Sequence, residues 1–348
     1  MGHAYKAIQW TPFKKRYDFV LAIGVGAFAV GFAGAAFMAA SPADPPSAPQ
    51  LLARAAGAAA MALLTLILAI GPLARLTPRA LPLLYNRRHL GVTCFALALV
   101  HASLVIVWYH GFSDANPLVS LLVSNPRYDA VQGFPFESLG LFALCVLFVL
   151  AATSHDFWNA NLGPGVWKAL HMGAYAAFAA LIAHVMLGAV QNDRGLASAI
   201  VVGVAAIGIA SLHVIVGWRE AARDAVRTTM SADGWLEVGP AHAIPDGRAR
   251  IVTPAAGERI AVFRDGARIH AISNRCRHQG GPLGEGRIID GCVTCPWHGF
   301  QYRPDDGCSP PPFTERVPTY RTAIRAGIVF VDPTPLPLGV APPETVAA

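Results

Sequence analysis

Charge is what this sequence lacks most. Only 14% of its 348 residues are Asp, Glu, Lys or Arg, against about 25% in an ordinary soluble domain. Hydrophobic residues make up 54%, and the mean hydropathy is +0.44. That balance excludes a disordered chain, a coiled-coil rod and a wholly soluble enzyme. Also missing is a Gly-x-Gly-x-x-Gly turn between a strand and a helix, the signature of a dinucleotide site. Gly24-Val25-Gly26 lies inside an apolar run and reads as helix packing. The net charge of +6 is modest and calls for no nucleic-acid partner.

The shortage is uneven. Residues 1–217 hold 12 Lys and Arg and 7 Asp and Glu, whereas residues 218–348 hold 15 and 14. The composition changes near Trp218. The first part contains six apolar runs near 18–40, 51–71, 90–110, 137–154, 167–190 and 197–217. A helix of about 20 apolar residues crosses the hydrocarbon core of a bilayer, so a six-helix membrane bundle is expected. The first run, behind Lys14-Lys15-Arg16, is too long for a signal-peptide core and reads as a retained span. Arg75, Arg79, Arg87 and Arg88 cluster after the second run, and Arg219, Arg223 and Arg227 follow the sixth. The positive-inside rule then puts both termini in the cytoplasm of a multi-pass protein of the cell (inner) membrane, with anionic lipid meeting the basic flanks.

Seven of the twelve histidines fall between residues 89 and 213. Ionisable side chains at membrane depth are costly and usually functional, and neutral imidazole is an axial ligand of haem iron. His110 and His155 stand at run ends and read as interfacial. His101 lies in the middle of the third run. His171 and His184 share the fifth, 13 residues apart, or about 20 Å of helical rise. Counted from the basic flanks, His101 and His184 lie at similar depth and would clamp an outer haem. His171 and His89 would clamp an inner one, although His89 is turned about 120° from His101 around an ideal helix. His213 is the substitute for His89. Arg87, Arg88 and Lys168 are placed to pair with haem propionates or simply to anchor the helices.

Residues 235–333 read as an all-β domain. Ile260-Ala261-Val262-Phe263 and Ile328-Val329-Phe330-Val331 are strand-like, and Arg264-Asp265-Gly266-Ala267 is a hairpin turn. Within it stand two short boxes, Cys276-Arg277-His278 and Cys295-Pro296-Trp297-His298. Two Cys and two His suit either zinc or a 2Fe–2S cluster. One Cys and one His per box favours the cluster, in which two thiolates hold one iron and two imidazoles the other. Gly280 and Gly281 would let backbone N–H groups approach the sulfides. Cys292, Cys308, Cys94 and Cys145 read as unpaired thiols, as suits a reducing compartment.

These residues carry two resemblances. Arg87-Arg88-His89-Leu90-Gly91 with His101, and Trp167-Lys168-Ala169-Leu170-His171 with His184, resemble ferric-reductase-like transmembrane domains over residues 50–217. That resemblance implies b-type haem, one or two, and electron transfer across a membrane. The two boxes with Gln279-Gly280-Gly281-Pro282-Leu283, Phe300, Tyr302 and the prolines 310–312 resemble a Rieske 2Fe–2S domain, with Gly280, Gly281, Pro296, Trp297 and Tyr302 around the cluster. High-potential Rieske proteins carry an extra Cys in each box. Gly281 and Trp297 stand at those positions here, so the resemblance is to the ferredoxin type, with an expected potential of about −150 to 0 mV.

The expected order is a haem-binding membrane domain (1–217), a cytoplasmic linker (218–234), the Rieske domain (235–333) and a Pro-rich tail (334–348). No flavin, nicotinamide or mononuclear-iron module is apparent, and no residue reads as catalytic. The reading is a membrane electron-transfer oxidoreductase component. Single electrons would enter from a cytoplasmic reductase or ferredoxin and leave for quinone or a periplasmic acceptor. The alternative is a membrane-tethered Rieske ferredoxin that supplies a cytosolic oxygenase, its helices serving as an anchor.

Overall fold

A segment in lipid has to satisfy its own backbone, and an α-helix does so within one segment. The computed structural model describes residues 12–41, 43, 45–80, 83, 87–112, 114–131, 133–154, 156–190, 196–225, 228–297, 299–311 and 313–346. Its helices are α1 (Pro12–Met38), α2 (Ala48–Leu76), α3 (Arg87–Val105), α4 (Pro117–Val123), α5 (Phe136–Ala152), α6 (Asp156–His171), α7 (Gly173–Val190) and α8 (Leu196–Ala225). A π-helical turn, Ile106–His110, extends α3. Five stretches among the described residues are long and apolar enough to cross a membrane: Lys15–Met38, Ala48–Leu76, Arg87–His110, Val166–Gly188 and Ala199–Ala222.

The helices differ from the expected runs in three places. The fourth run is a 17-residue helix, α5, short of the usual span. It starts directly after Pro135, and the Thr153 hydroxyl donates to the Val149 carbonyl at its other end. The helix containing the fifth run starts earlier, at Asp156, and is interrupted at Met172. There the Met172 N–H is shared between the Lys168 and Ala169 carbonyls, and the Tyr175 N–H reaches back to the Met172 carbonyl, a local tightening of the helix. His171 and His184 therefore stand on two segments, α6 and α7, and the rise of one ideal helix does not give their separation. The sixth run continues to Ala225.

The chain forms two compact units, Met1–Gly71 with Asn86–Leu212, and Pro72–Tyr85 with His213–Ala348. In the first, Ala60, Met61, Leu64, Leu68, Cys94, Ala143, Leu147, Ala177 and Phe178 form the core. Small residues there let the helices approach closely, which is how helices associate where lipid removes the hydrophobic drive. The outer faces are apolar: Val30 is 75% and Ile207 70% exposed. Such a surface is covered by hydrocarbon in a membrane protein.

The second unit is antiparallel β. Strands β1 (Leu236–Pro240), β10 (Ile328–Val331) and β9 (Thr322–Arg325) form one sheet. A second runs β11 (Thr345–Val346), β4 (Arg268–Ser273), β3 (Ile260–Asp265) and β2 (Ala249–Val252), with β8 (Thr319–Tyr320) on β4. A third small sheet joins β5 (Arg287–Ile289), β6 (Cys292–Thr294) and β7 (Gln301–Tyr302). Asp265 pairs with Arg268 across a two-residue turn in which Gly266 has φ +60°, the left-handed backbone such hairpins need. The Pro-rich end of the chain returns to the sheet through β11, where Glu344 pairs with Arg268 at 2.7 Å.

Burial of one titratable group predicts acid sensitivity in this unit. His270 on β4 is 9% exposed; its Nδ1 lies 3.3 Å from Asp305, and its buried Nε2 has no hydrogen-bond partner among the described residues. Burial lowers its pKa, and Asp305 only partly offsets this. A histidine with a depressed folded-state pKa binds its proton more readily once unfolded. Its stabilising contribution is therefore complete above the ordinary value near 6.5 and is lost as pH falls through the folded value, at up to about 1.4 kcal/mol per pH unit. Thermal unfolding followed by visible circular dichroism between pH 7 and 5 should lose stability less steeply in His270→Gln than in the wild-type protein. Equal slopes would remove His270 from the account.

Candidate functional site

The two boxes occupy equivalent loops. The first lies between β4 and β5, the second between β6 and β7. In each, the glycine four residues after the Cys donates its N–H to the Cys carbonyl: Gly280 to Cys276 at 2.7 Å and Gly299 to Cys295 at 3.0 Å. Both glycines have positive φ, +76° and +68°, where a side chain would be strained. The loops meet face to face. A Cβ on Gly281 would lie 2.7 Å from Cys295 Sγ and 3.1 Å from the Trp297 ring. Gly281 thus keeps open the space in which the thiols lie.

Cys276 and Cys295 are both buried, in an apolar cluster with Ile272, Leu283, Val293 and Tyr302. The adjoining Cys295 thiol, then the Tyr302 hydroxyl and the N–H groups of His278 and Gln279, bring the Cys276 pKa down to about 7 against the desolvation that opposes it. The Tyr302 hydroxyl accepts the Arg277 N–H at 2.9 Å and lies 3.5 Å from Cys276 Sγ. Burial raises the Tyr302 pKa, so the phenol keeps its proton and has it to donate when the sulfur is a thiolate. His278 stacks on Phe300 at 5.0 Å with an interplanar angle of 7°, and its Nδ1 is buried. Pro296 and Trp297 are half-buried in the second loop. His298 lies outside the described residues, and among the described ones no third His, Cys, Asp or Glu joins the two thiols at metal-binding distance. A pair of thiols surrounded by N–H and O–H donors is the donor set of an iron–sulfur site.

In the helical unit, His101 of α3 and His184 of α7 face each other. Their ring centroids are 6.4 Å apart and their planes 81°. Each Nδ1 lies 2.8 Å from a backbone carbonyl, His101 on Ala53 and His184 on Phe136. A carbonyl only accepts, so each Nδ1 carries the proton and each Nε2 the lone pair. Two imidazoles bound end-on to one metal, each nitrogen about 2 Å from it, hold their centroids roughly 6 Å apart. The residues therefore fit a bis-histidine haem.

The inner residues are arranged differently. His171 stacks on Trp167 at 3.8 Å, and its Nδ1 lies 2.9 Å from the Trp167 carbonyl of its own helix. Its Nε2 is buried with no hydrogen-bond partner among the described residues. His89 turns to α1, where its Nδ1 lies 2.6 Å from Asp18 and its ring meets the edge of Tyr17. Among the described contacts His89 and His171 do not meet. Arg87 and Arg88 are half-buried, Arg87 beside Gly71, and Lys168 is exposed one turn before His171. His213 on α8 is half-buried. His110 is buried and bonds the Ser120 hydroxyl, and His155 lies outside the described residues. None of the six cysteines forms a disulfide. Sequence reading missed Asp18 and the two carbonyls at Ala53 and Phe136, all partners distant in sequence from the residues they hold.

Two family matches overlap the two sites, the first ending two residues before His184. Residues 56–182 match the ferric reductase like transmembrane component, and residues 234–321 match the Rieske [2Fe-2S] domain. The chain joins these two domains. Curated relatives align with a smaller part. Cholesterol 7-desaturase nvd of Xenopus laevis is 33% identical over 25% of this chain and 20% of its own length. The oxygenase component of 3-ketosteroid-9-alpha-monooxygenase from Mycolicibacterium smegmatis is 31% identical over 29% of this chain and 28% of its own. The chain thus spans less than a third of the length of these relatives. A solved complex of reduced oxygenase and oxidized ferredoxin in carbazole 1,9a-dioxygenase matches at 25% identity and TM-score 0.28, covering 30% of this chain and 96% of that one.

The Rieske domain supports a 2Fe–2S cluster, and Tyr302 is the side-chain hydroxyl placed to tune it. A hydrogen bond to a charged group contributes about 1.5–3 kcal/mol. If half of that differs between the oxidation states, Tyr302→Phe lowers the one-electron potential by about 30–60 mV. A redox titration followed by EPR measures this, and an unchanged potential would exclude the bond.

Proposed function

We propose that this membrane electron-transfer protein passes single electrons between a cytoplasmic Rieske cluster and b-type haem in its helices, and on to quinone or an outer-face acceptor. The observation that carries the reading is the facing pair His101 and His184, each with Nδ1 engaged and Nε2 left for a metal. Cys276, His278, Cys295 and His298 would hold the cluster. Each group, once bound, supplies a reversible one-electron carrier.

The chain's own residues set the conditions. The Ala53 and Phe136 carbonyls fix the tautomers and ring directions of the two histidines. Tyr302 and the loop N–H groups draw charge from the thiolates. Gly281 keeps the space between the loops clear. His171, whose Nε2 has no hydrogen-bond partner among the described residues, is a candidate ligand for a second haem, and His89, oriented by Asp18, is its candidate partner. Basic flanks favour cytoplasmic termini in the cell membrane, with a separate reductase or ferredoxin as donor.

Stopped-flow mixing of the purified full chain with a reduced low-potential ferredoxin tests the reading. Cluster and haem should both become reduced, the cluster first. Reduction of the cluster alone would favour a tethered ferredoxin.

A further inference from the structure

The two facing histidines are held in the same way. The His101 Nδ1–H donates to the carbonyl of Ala53 on α2, and the His184 Nδ1–H to the carbonyl of Phe136 on α5. An α-helix already offers each of these carbonyls to the N–H four residues on. Those residues are Gly57 and Gly140. A Cβ on Gly57 would lie 2.9 Å from His101 Nδ1, and a Cβ on Gly140 would lie 2.9 Å from both Nδ1 and Cε1 of His184. Real Cβ atoms essentially never come so close. A helical carbonyl has a second lone pair, but a side chain one turn further along screens it. Glycine at that turn opens a notch through which an imidazole from another helix reaches the carbonyl.

Other residues show that the device is specific to this pair. His171 bonds the Trp167 carbonyl of its own helix and uses no such notch. Gly26 and Gly31 of α1 and Gly203 and Gly208 of α8 would meet nothing within 4 Å if given a Cβ. Among the described glycines, only at Gly57 and Gly140 would an added Cβ strike a histidine ring.

We propose that Gly57 and Gly140 are positioning residues for the haem ligands. Each notch fixes the tautomer, depth and rotation of one imidazole, so that both Nε2 atoms face one iron. This rests on the haem reading above and adds what the two ligands require of the helices opposite. A methyl group at either position pushes the ring off its carbonyl and turns Nε2 away. Loss of an orienting partner of a metal ligand typically lowers metal affinity about 10- to 100-fold.

The test uses the full chain in detergent, comparing Gly57→Ala, Gly140→Ala and Gly208→Ala with wild type. Haem per protein, the lineshape of the low-spin ferric EPR signal and the haem potential are read. The EPR signal of the reduced cluster reports that the chain is folded. Alanine ordinarily favours a helix over glycine, so general destabilisation is not expected. The inference predicts lower haem content or an altered ferric signal in Gly57→Ala and Gly140→Ala, with the cluster signal intact and Gly208→Ala unchanged. Wild-type haem content, lineshape and potential in both variants would overturn it, as would an equal loss in Gly208→Ala. If the two variants lose the cluster signal along with haem, the glycines serve general folding and the inference fails. A wild-type protein without haem would refute the underlying haem reading, a separate result.

Discussion

His184→Ala should lose the haem shared with His101 and keep the iron–sulfur cluster. The imidazole supplies one of two facing nitrogens, and no other His side chain is described in contact with His101. Removing an orienting partner already weakens a metal site about 10- to 100-fold, so removing the ligand itself costs more than that. Alanine also leaves the Phe136 carbonyl without its imidazole donor. Haem content by haemochrome assay should fall by one per chain. The EPR signal of the reduced cluster should be unchanged, because its thiols lie in a separate loop pair between β-strands. Loss of both signals together would contradict two separate sites.

The second large effect is expected at Cys276. Cys276→Ser replaces a buried thiol whose pKa is held near 7 with a hydroxyl that does not ionise near neutral pH. The cluster signal should disappear altogether. The cost extends to the domain, since Cys276 and Cys295 are part of its core and binding of a metal group couples to folding. The domain should become sensitive to protease while the helices keep haem. Reduction of that haem by ferredoxin should then fall to the rate seen without ferredoxin. Fast haem reduction in this variant would show that electrons bypass the cluster.

These sites differed in how far the sequence revealed them. The cluster loops were legible because the Cys and His of each box are close along the chain, and a tight turn closes each loop from its Cys to the glycine four residues on. The apolar run of β3 and the Asp265–Arg268 hairpin were legible for the same reason. The pairing of His101 with His184 required only a count of residues from the basic flanks. Other features depend on contacts between distant segments. His89 is 71 residues from Asp18, and His101 is 48 from Ala53. The interruption at Met172 follows from shared hydrogen bonds that hydropathy does not register. Gly57 and Gly140 looked like any glycine in a membrane helix, where small residues ordinarily serve packing. What marks them is the histidine opposite, which only the assembled helices reveal.

The reduced-minus-oxidised optical spectrum of the purified full chain, taken alongside the EPR spectrum of the same reduced sample, tests the central claim most directly. The account predicts the α-band of a b-type haem together with the signal of a reduced Rieske cluster. A cluster signal without a b-type band would contradict it.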